Sequence, residues 1–193
     1  MPRQPPDDRR TAIADAVIEV LASSGARGLT HRAVDAAAGL PAGSCSYYFR
    51  SREALLIAGA RRIAELDMTG RPPTAPATVD DLAGLLTRLV WAQITADRRR
   101  TEARLHLSLE ATRYPAVRAV LEELAATFTG AAVALLSALG TRHPRRDARA
   151  VLAVCQGIVF ESTVSGRRPF TQPEIRAVLT DVLTARLPGP SRA

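Results

Sequence analysis

The 193-residue chain is 47% apolar and 23% charged, enough sequence for one domain or two small ones around a buried core. Its net charge is +7, all 26 basic residues are arginine, and its two cysteines, Cys45 and Cys155, lack the spacing of a disulfide framework or a metal site. No apolar run reads as long enough to span a membrane and residues 1–10 lack an apolar h-region, so a soluble, cytoplasmic protein is expected.

Residues 1–8 are proline-rich and polar, the composition of a disordered arm. From Arg9 to Ser24, Ile13, Val17, Val20 and Leu21 recur at helical spacing, which predicts an amphipathic helix closed by Gly25 and Gly28. Thr30 then suits an N-cap, and Ala33, Val34, Ala37 and Ala38 give the next helix a narrow apolar face. Gly39 tolerates the left-handed conformation that ends a helix, and Pro41 fits the first position of another, predicted over residues 41–49. Ser51 caps a fourth helix running to about Asp67, with Leu55, Leu56, Ala60, Ile63 and Leu66 facing inward. Helix, glycine turn, helix is the pattern of a helix-turn-helix, whose second helix enters the DNA major groove.

Residues 69–80, with three prolines and a glycine, read as a linker. Beyond it the periodicity predicts helices over 80–95, 100–112, 116–139, 146–165 and 173–187, with no strand signal and no internal repeat. The expected fold is therefore all-α with about nine helices: a head and connecting helix over 9–68 and a larger helical body over 81–193. The last two helices carry apolar stripes, Val151, Val154, Cys155, Ile158, Val159 and Ser162 on one and Ile175, Val178, Leu179, Val182 and Leu183 on the other.

Charge alone does not locate a DNA site. Residues 1–68 hold 9 arginines against 8 acids, while 69–193 hold 17 against 11, and only the stretch 25–62 is locally basic within the head. Spacing does locate one. The series T-x-x-x-V-x-x-A-A-G-L-x-x-G-S-x-S-x-Y-F-x-S-R-E-A-L-L closely resembles the N-terminal signature of the tetracycline-repressor (TetR) family of bacterial regulators, over roughly Arg10 to Leu56. Three positions depart from the usual pattern: Pro41 replaces a Ser cap, Cys45 a larger aliphatic residue and Ser46 a frequent tyrosine.

The resemblance implies a regulator, most often a repressor, that binds a palindromic operator in double-stranded DNA as a homodimer and is released by a small-molecule effector. A two-fold dimer sets two reading helices one DNA turn apart, ~34 Å. Among the expected DNA-contacting residues, Thr30, His31 and Arg32 begin the first motif helix, and Arg32 can reach a guanine O6/N7 edge. On the reading helix, Ala42 and Gly43 allow close approach and Ser44 donates to phosphate beside the helix's free N–H groups. Ser46 and Tyr47 face outward, Tyr47 toward a thymine methyl, while Tyr48 places its hydroxyl on phosphate and Cys45 and Phe49 face inward. Arg52 suits a phosphate rather than a neighbouring carboxylate. In the family the arm sometimes reaches the minor groove, a role open to Arg3, Arg9 or Arg10.

The body is expected to hold the effector pocket, lined by Trp91, Ile94, Leu105, His106, Leu109, Phe128, Leu135 and Phe160, with Glu110, Gln156 or Glu161 as polar anchors. An effector that is largely apolar follows from such a lining. By resemblance the two stripes make a four-helix bundle with a second copy. No cofactor, metal site or catalytic residue is expected: there is no HExxH, phosphate loop or nucleophile elbow, and the three histidines are scattered. A helical ligand carrier or enzyme, and an interaction module with a degenerate head, remain the alternatives.

Overall fold

The computed structural model describes residues 6–69, 76–165 and 167–187. Among them the fold is all-α, with nine helices: α1 (Pro6–Gly28), α2 (His31–Ala37), α3 (Ser44–Tyr48), α4 (Arg52–Met68), α5 (Val79–Ile94), α6 (Arg98–Glu110), α7 (Pro115–Ala138), α8 (Pro144–Thr163) and α9 (Gln172–Thr184). Their local causes are those of the sequence. Thr30 and Ser51 cap α2 and α4 by accepting the Ala33 and Ala54 amides at 3.1 Å each. Capping boxes start α5 at Thr78 with Asp81 and α9 at Thr171 with Glu174.

Several boundaries differ from expectation, three of them for a clear local reason. The helix of α1 takes in Pro6, Asp7 and Asp8, because a proline is well placed in a first turn that has no N–H to satisfy. The rest of the expected arm, including Arg3, lies outside the described residues, as does 70–75 of the linker. The reading helix shrinks from 41–49 to Ser44–Tyr48, because Gly43 sits at φ 88 and a left-handed residue cannot lie inside a right-handed helix. Finally, α8 begins at Pro144, two residues early, again with proline at the first turn.

The helices fall into two compact units, residues 1–71 with 99–124 and residues 72–98 with 125–193. In the first, Ile13, Val17 and Leu21 of α1 meet Val34, Cys45, Leu55, Leu56 and Ile63, and the same core takes in Ala103 and Leu107 of α6, Ala111, and Val117 of α7. Ion pairs join α6 to the same helices: Arg99 to Glu19, Arg100 and Arg104 to Asp67, and Glu110 to Arg52. The expected division at residue 81 therefore differs from the packing, since an amphipathic helix declares a buried face without declaring which core it joins. In the second unit α5, α8, α9 and the later part of α7 enclose Leu82, Val90, Ile94, Leu136, Val151, Ile158, Ile175, Leu179 and Leu183.

α7 bears on the expectation that no apolar run is long enough to span a membrane. It is long and apolar enough, by length and composition, to cross a membrane, and little of its most apolar stretch is buried. Its Val117 and Leu124 are nevertheless buried, as is Leu136.

Candidate nucleic-acid interface

The first unit presents α2 and α3 side by side. Cys45 is fully buried at their junction and Phe49 packs against the core, as their inward assignment requires. Burial foremost, then the charge of Asp35, pushes the Cys45 thiol up to about 11, so it stays protonated and apolar. On the other side Ala42, Gly43, Ser46 and Tyr47 are exposed, Tyr47 at 79%, and Thr30 and Arg32 are exposed at the start of α2. Tyr47 meets Tyr48 edge-to-face, with centroids 5.1 Å apart. The half-buried Tyr48 and Phe49 carry the Arg10 guanidinium 5.6 Å from each ring centroid, so Arg10 braces the end of α3 from α1.

Three expectations change at this surface. At the start of α3 the Gly43, Ser44 and Cys45 amides are already taken within the unit and are not offered to a phosphate beside Ser44. The Gly43 amide donates to Asp35 Oδ2 at 2.8 Å, the Cys45 amide to Asp35 Oδ1 at 2.7 Å, and the Ser44 amide to the Pro41 carbonyl at 3.1 Å. His31 is half-buried, with Nε2 2.6 Å from the Phe49 carbonyl oxygen. A carbonyl only accepts, so Nε2 carries the proton and is committed within the unit rather than to phosphate or base.

Arg52 was expected to prefer phosphate to a carboxylate, and the structure corrects that preference. Its Nη1 donates to the Leu29 carbonyl and its Nη2 to the Ala26 carbonyl, both at 2.6 Å, and Nη2 lies 3.5 Å from Glu110 Oε2. Both carbonyls follow the α1 break at Gly25 (φ 66), and that of Ala26 also accepts the Leu29 amide at 3.2 Å. Sequence reasoning passed over two residues. Asp35 reads as an ordinary surface acid on a short helix, yet it is 4% exposed. Arg50, exposed directly after Phe49, stands beside the reading helix, and its place in the motif could have signalled it.

The expected effector lining is not gathered in one unit. Leu105, His106, Leu109 and Glu110 belong to the first, where His106 lies against Gly25, with its Cε1 3.3 Å from where a Cβ would stand, and Glu110 is taken by Arg52. Trp91, Ile94, Phe128, Leu135, Gln156, Phe160 and Glu161 belong to the second. There Ile94 is plain core, Trp91 and Leu135 pack against it, Gln156, Phe128 and Phe160 are exposed, and Glu161 lies 3.9 Å from Arg167. An open groove of about 500 Å³ in the second unit is lined by Val133, Ser137, His143, Pro144, Arg145 and Arg146, none of them expected.

Most residues of the stripes expected at a dimer interface are buried within one copy: Val151, Cys155, Ile158, Val159, Ser162, Ile175, Leu179 and Leu183 are, and Val154, Val178 and Val182 pack against them. Burial pushes the Cys155 thiol up to about 11 as well. The outward face of α8 carries Ala153, Gly157, Phe160 and Val164, all exposed and spaced i, i+4, i+7, i+11.

Comparison with known proteins gives one consistent picture. A family model described as "Tetracyclin repressor-like, C-terminal domain" matches residues 77–185. No curated protein matches the chain. Among solved structures, the multidrug-binding protein EbrR in complex with ethidium is 31% identical, with 94% of this chain and 99% of that chain covered and a TM-score of 0.69. A TetR-family member from Streptomyces coelicolor A3, SCO1917, is also 31% identical over the same shares of the two chains, with a TM-score of 0.70. A transcriptional regulator from Rhodococcus sp. Rha1 has the same fold at 18% identity, with 92% and 95% covered and a TM-score of 0.78.

Proposed function

This chain belongs to the tetracycline-repressor family of ligand-responsive, DNA-binding transcriptional regulators, and from that we propose that it is a cytoplasmic homodimeric repressor released from a palindromic operator by a small, largely apolar effector. The observation that carries the DNA half is the outward face of α2 and α3. Arg32 of α2, Ser46 and Tyr47 of α3 and Arg50 just after it are exposed, while His31, Asp35 and Cys45 are tied into the unit. That supplies guanidinium groups for guanine edges or phosphates, a hydroxyl, and a ring for a thymine methyl. Operator and effector exclude one another because the effector prefers the state that DNA does not, and by linkage each weakens the other equally.

The mate docks on the outward face of α8, through Ala153, Gly157, Phe160 and Val164. Small residues there permit close helix approach, and the two larger apolar ones are half exposed in the single copy. For the effector, EbrR with ethidium and EbrR with proflavin, at 31% and 33% identity, make a planar cation the first class to test.

The test is fluorescence anisotropy on tiled duplexes from upstream of the gene, each against a scrambled duplex, across a salt series. A preference of ~10³-fold or more, lost on Arg32→Ala, is the expected result. Equal, steeply salt-dependent binding to every duplex refutes operator recognition, and no binding at all favours a helical ligand carrier or enzyme. Ethidium fluorescence with the protein in the absence of DNA tests the effector class.

A further inference from the structure

We propose that His31 and Asp35 form a two-ended clamp that sets the pose of the reading helix and thereby its sequence preference, without either side chain touching DNA. The inference rests on the DNA-binding reading above. α3 has five residues, too few to hold a helical conformation unaided, and its N-cap, Gly43, has no side chain with which to cap it. The stabilising groups come from α2. Residues 31 and 35 are one turn apart and share a face of that helix. The Asp35 carboxylate takes the Gly43 and Cys45 amides at the start of α3. The His31 Nε2–H donates to the Phe49 carbonyl at its end.

Each contact has the polarity the helix dipole favours, an anion at the positive end and a donor at the negative end. Both anchors lie on one rigid turn of α2, so the pair fixes the tilt and the rotation of α3 about its axis. The outward residues Ser46 and Tyr47 follow that pose. Releasing either end leaves those side chains present and their alignment with base edges lost, while residues outside α3 such as Arg32 and Arg50 keep their contacts. The structure therefore predicts a loss of discrimination with general DNA affinity retained.

The experiment uses the full-length protein, the duplex that wild type prefers in the assay above, and its scrambled counterpart. Asp35→Asn keeps the shape but sets an amide N–H against an amide N–H, and His31→Ala removes the donor. Both are expected to reduce the preference ratio about tenfold or more, the size of one misread base pair. Affinity for the scrambled duplex and its salt slope should stay as in wild type. His31→Gln, which keeps a donor of similar reach, should return to within about threefold of the wild-type ratio.

A ratio unchanged in both variants, with only a lower melting temperature, overturns the clamp as a determinant of preference. So does a parallel loss on both duplexes, or a His31→Gln no better than His31→Ala. If Asp35→Asn does not fold, the His31 pair decides alone. A wild type with no preference overturns the regulator reading and the clamp together, whereas a wild-type preference with unaffected variants overturns only the clamp.

Discussion

Arg52→Ala separates two roles that one arginine at the start of α4 can have. In the structure its guanidinium makes two bonds of 2.6 Å to the carbonyls of Ala26 and Leu29 and a longer pair with Glu110. Bonds from a charged donor are stronger than average, but the side chain is 34% exposed, so about 1 kcal/mol for each carbonyl is appropriate. The carboxylate at 3.5 Å adds about 0.5–1 kcal/mol. Removal should therefore cost about 3 kcal/mol and lower the melting temperature by roughly 6–12 °C in calorimetry. If Arg52 acts only inside the protein, the slope of log affinity against log salt does not change on the variant. A phosphate contact predicts the reverse, a slope shallower by about 0.9 and a melting temperature little altered. That second result would refute the internal assignment and restore the role first read from the motif.

Three further outcomes follow from geometry. A Cβ on Gly59 would lie 2.7 Å from Val17 Cγ1 where α4 crosses α1, so Gly59→Ala should destabilise the first unit by about 1–3 kcal/mol, and adding Val17→Ala should recover part of the loss in chemical denaturation. Gly157 faces open space in the single copy, so Gly157→Arg should leave the melting profile of the isolated protomer unchanged yet give monomers in sedimentation velocity; a variant that stays dimeric places the interface elsewhere. The thiols of Cys45 and Cys155, at about 11 against an ordinary 9.0, should resist disulfide reagents at pH 8 until the protein is unfolded. Each holds its proton more tightly folded than unfolded, so their stability contribution is complete below about pH 9 and disappears as pH rises through about 11, a trend lost in the double Cys→Ala variant.

What the sequence disclosed was mostly local. Thr30, Ser51 and Gly39 punctuate the motif as read, because caps and left-handed turns depend on a few neighbouring residues. Ile13, Val17 and Leu21 are core because a period of 3.6 marks a buried face. The same period does not name the surface that does the burying. For that reason the stripes of α8 and α9 were expected against a second copy and proved to pack within one, and α6 was expected in the body and proved to pack with the head. Arg52 finds partners 23, 26 and 58 residues away, beyond any local rule. Asp35 escaped notice for the opposite reason: an acid among alanines gives no periodic signal, and its meaning appears only when the start of α3 is seen ten residues on.

The core of the first unit has a consequence for how the protein is made. Its buried set closes with Ala103, Leu107, Ala111 and Val117, and the unit takes in residues up to 124 of 193. The motif itself is translated long before, by residue 52. A ribosome must therefore add some seventy residues past the motif before the core of the first unit is complete. Through that interval α1 to α4 can pack on one another, but the part of their core that α6 and the start of α7 cover stays open to water. Domains on a polypeptide usually mature from the N-terminus onward; here the core of the first-made segment is completed by a later one, so a prematurely terminated chain leaves apolar surface uncovered.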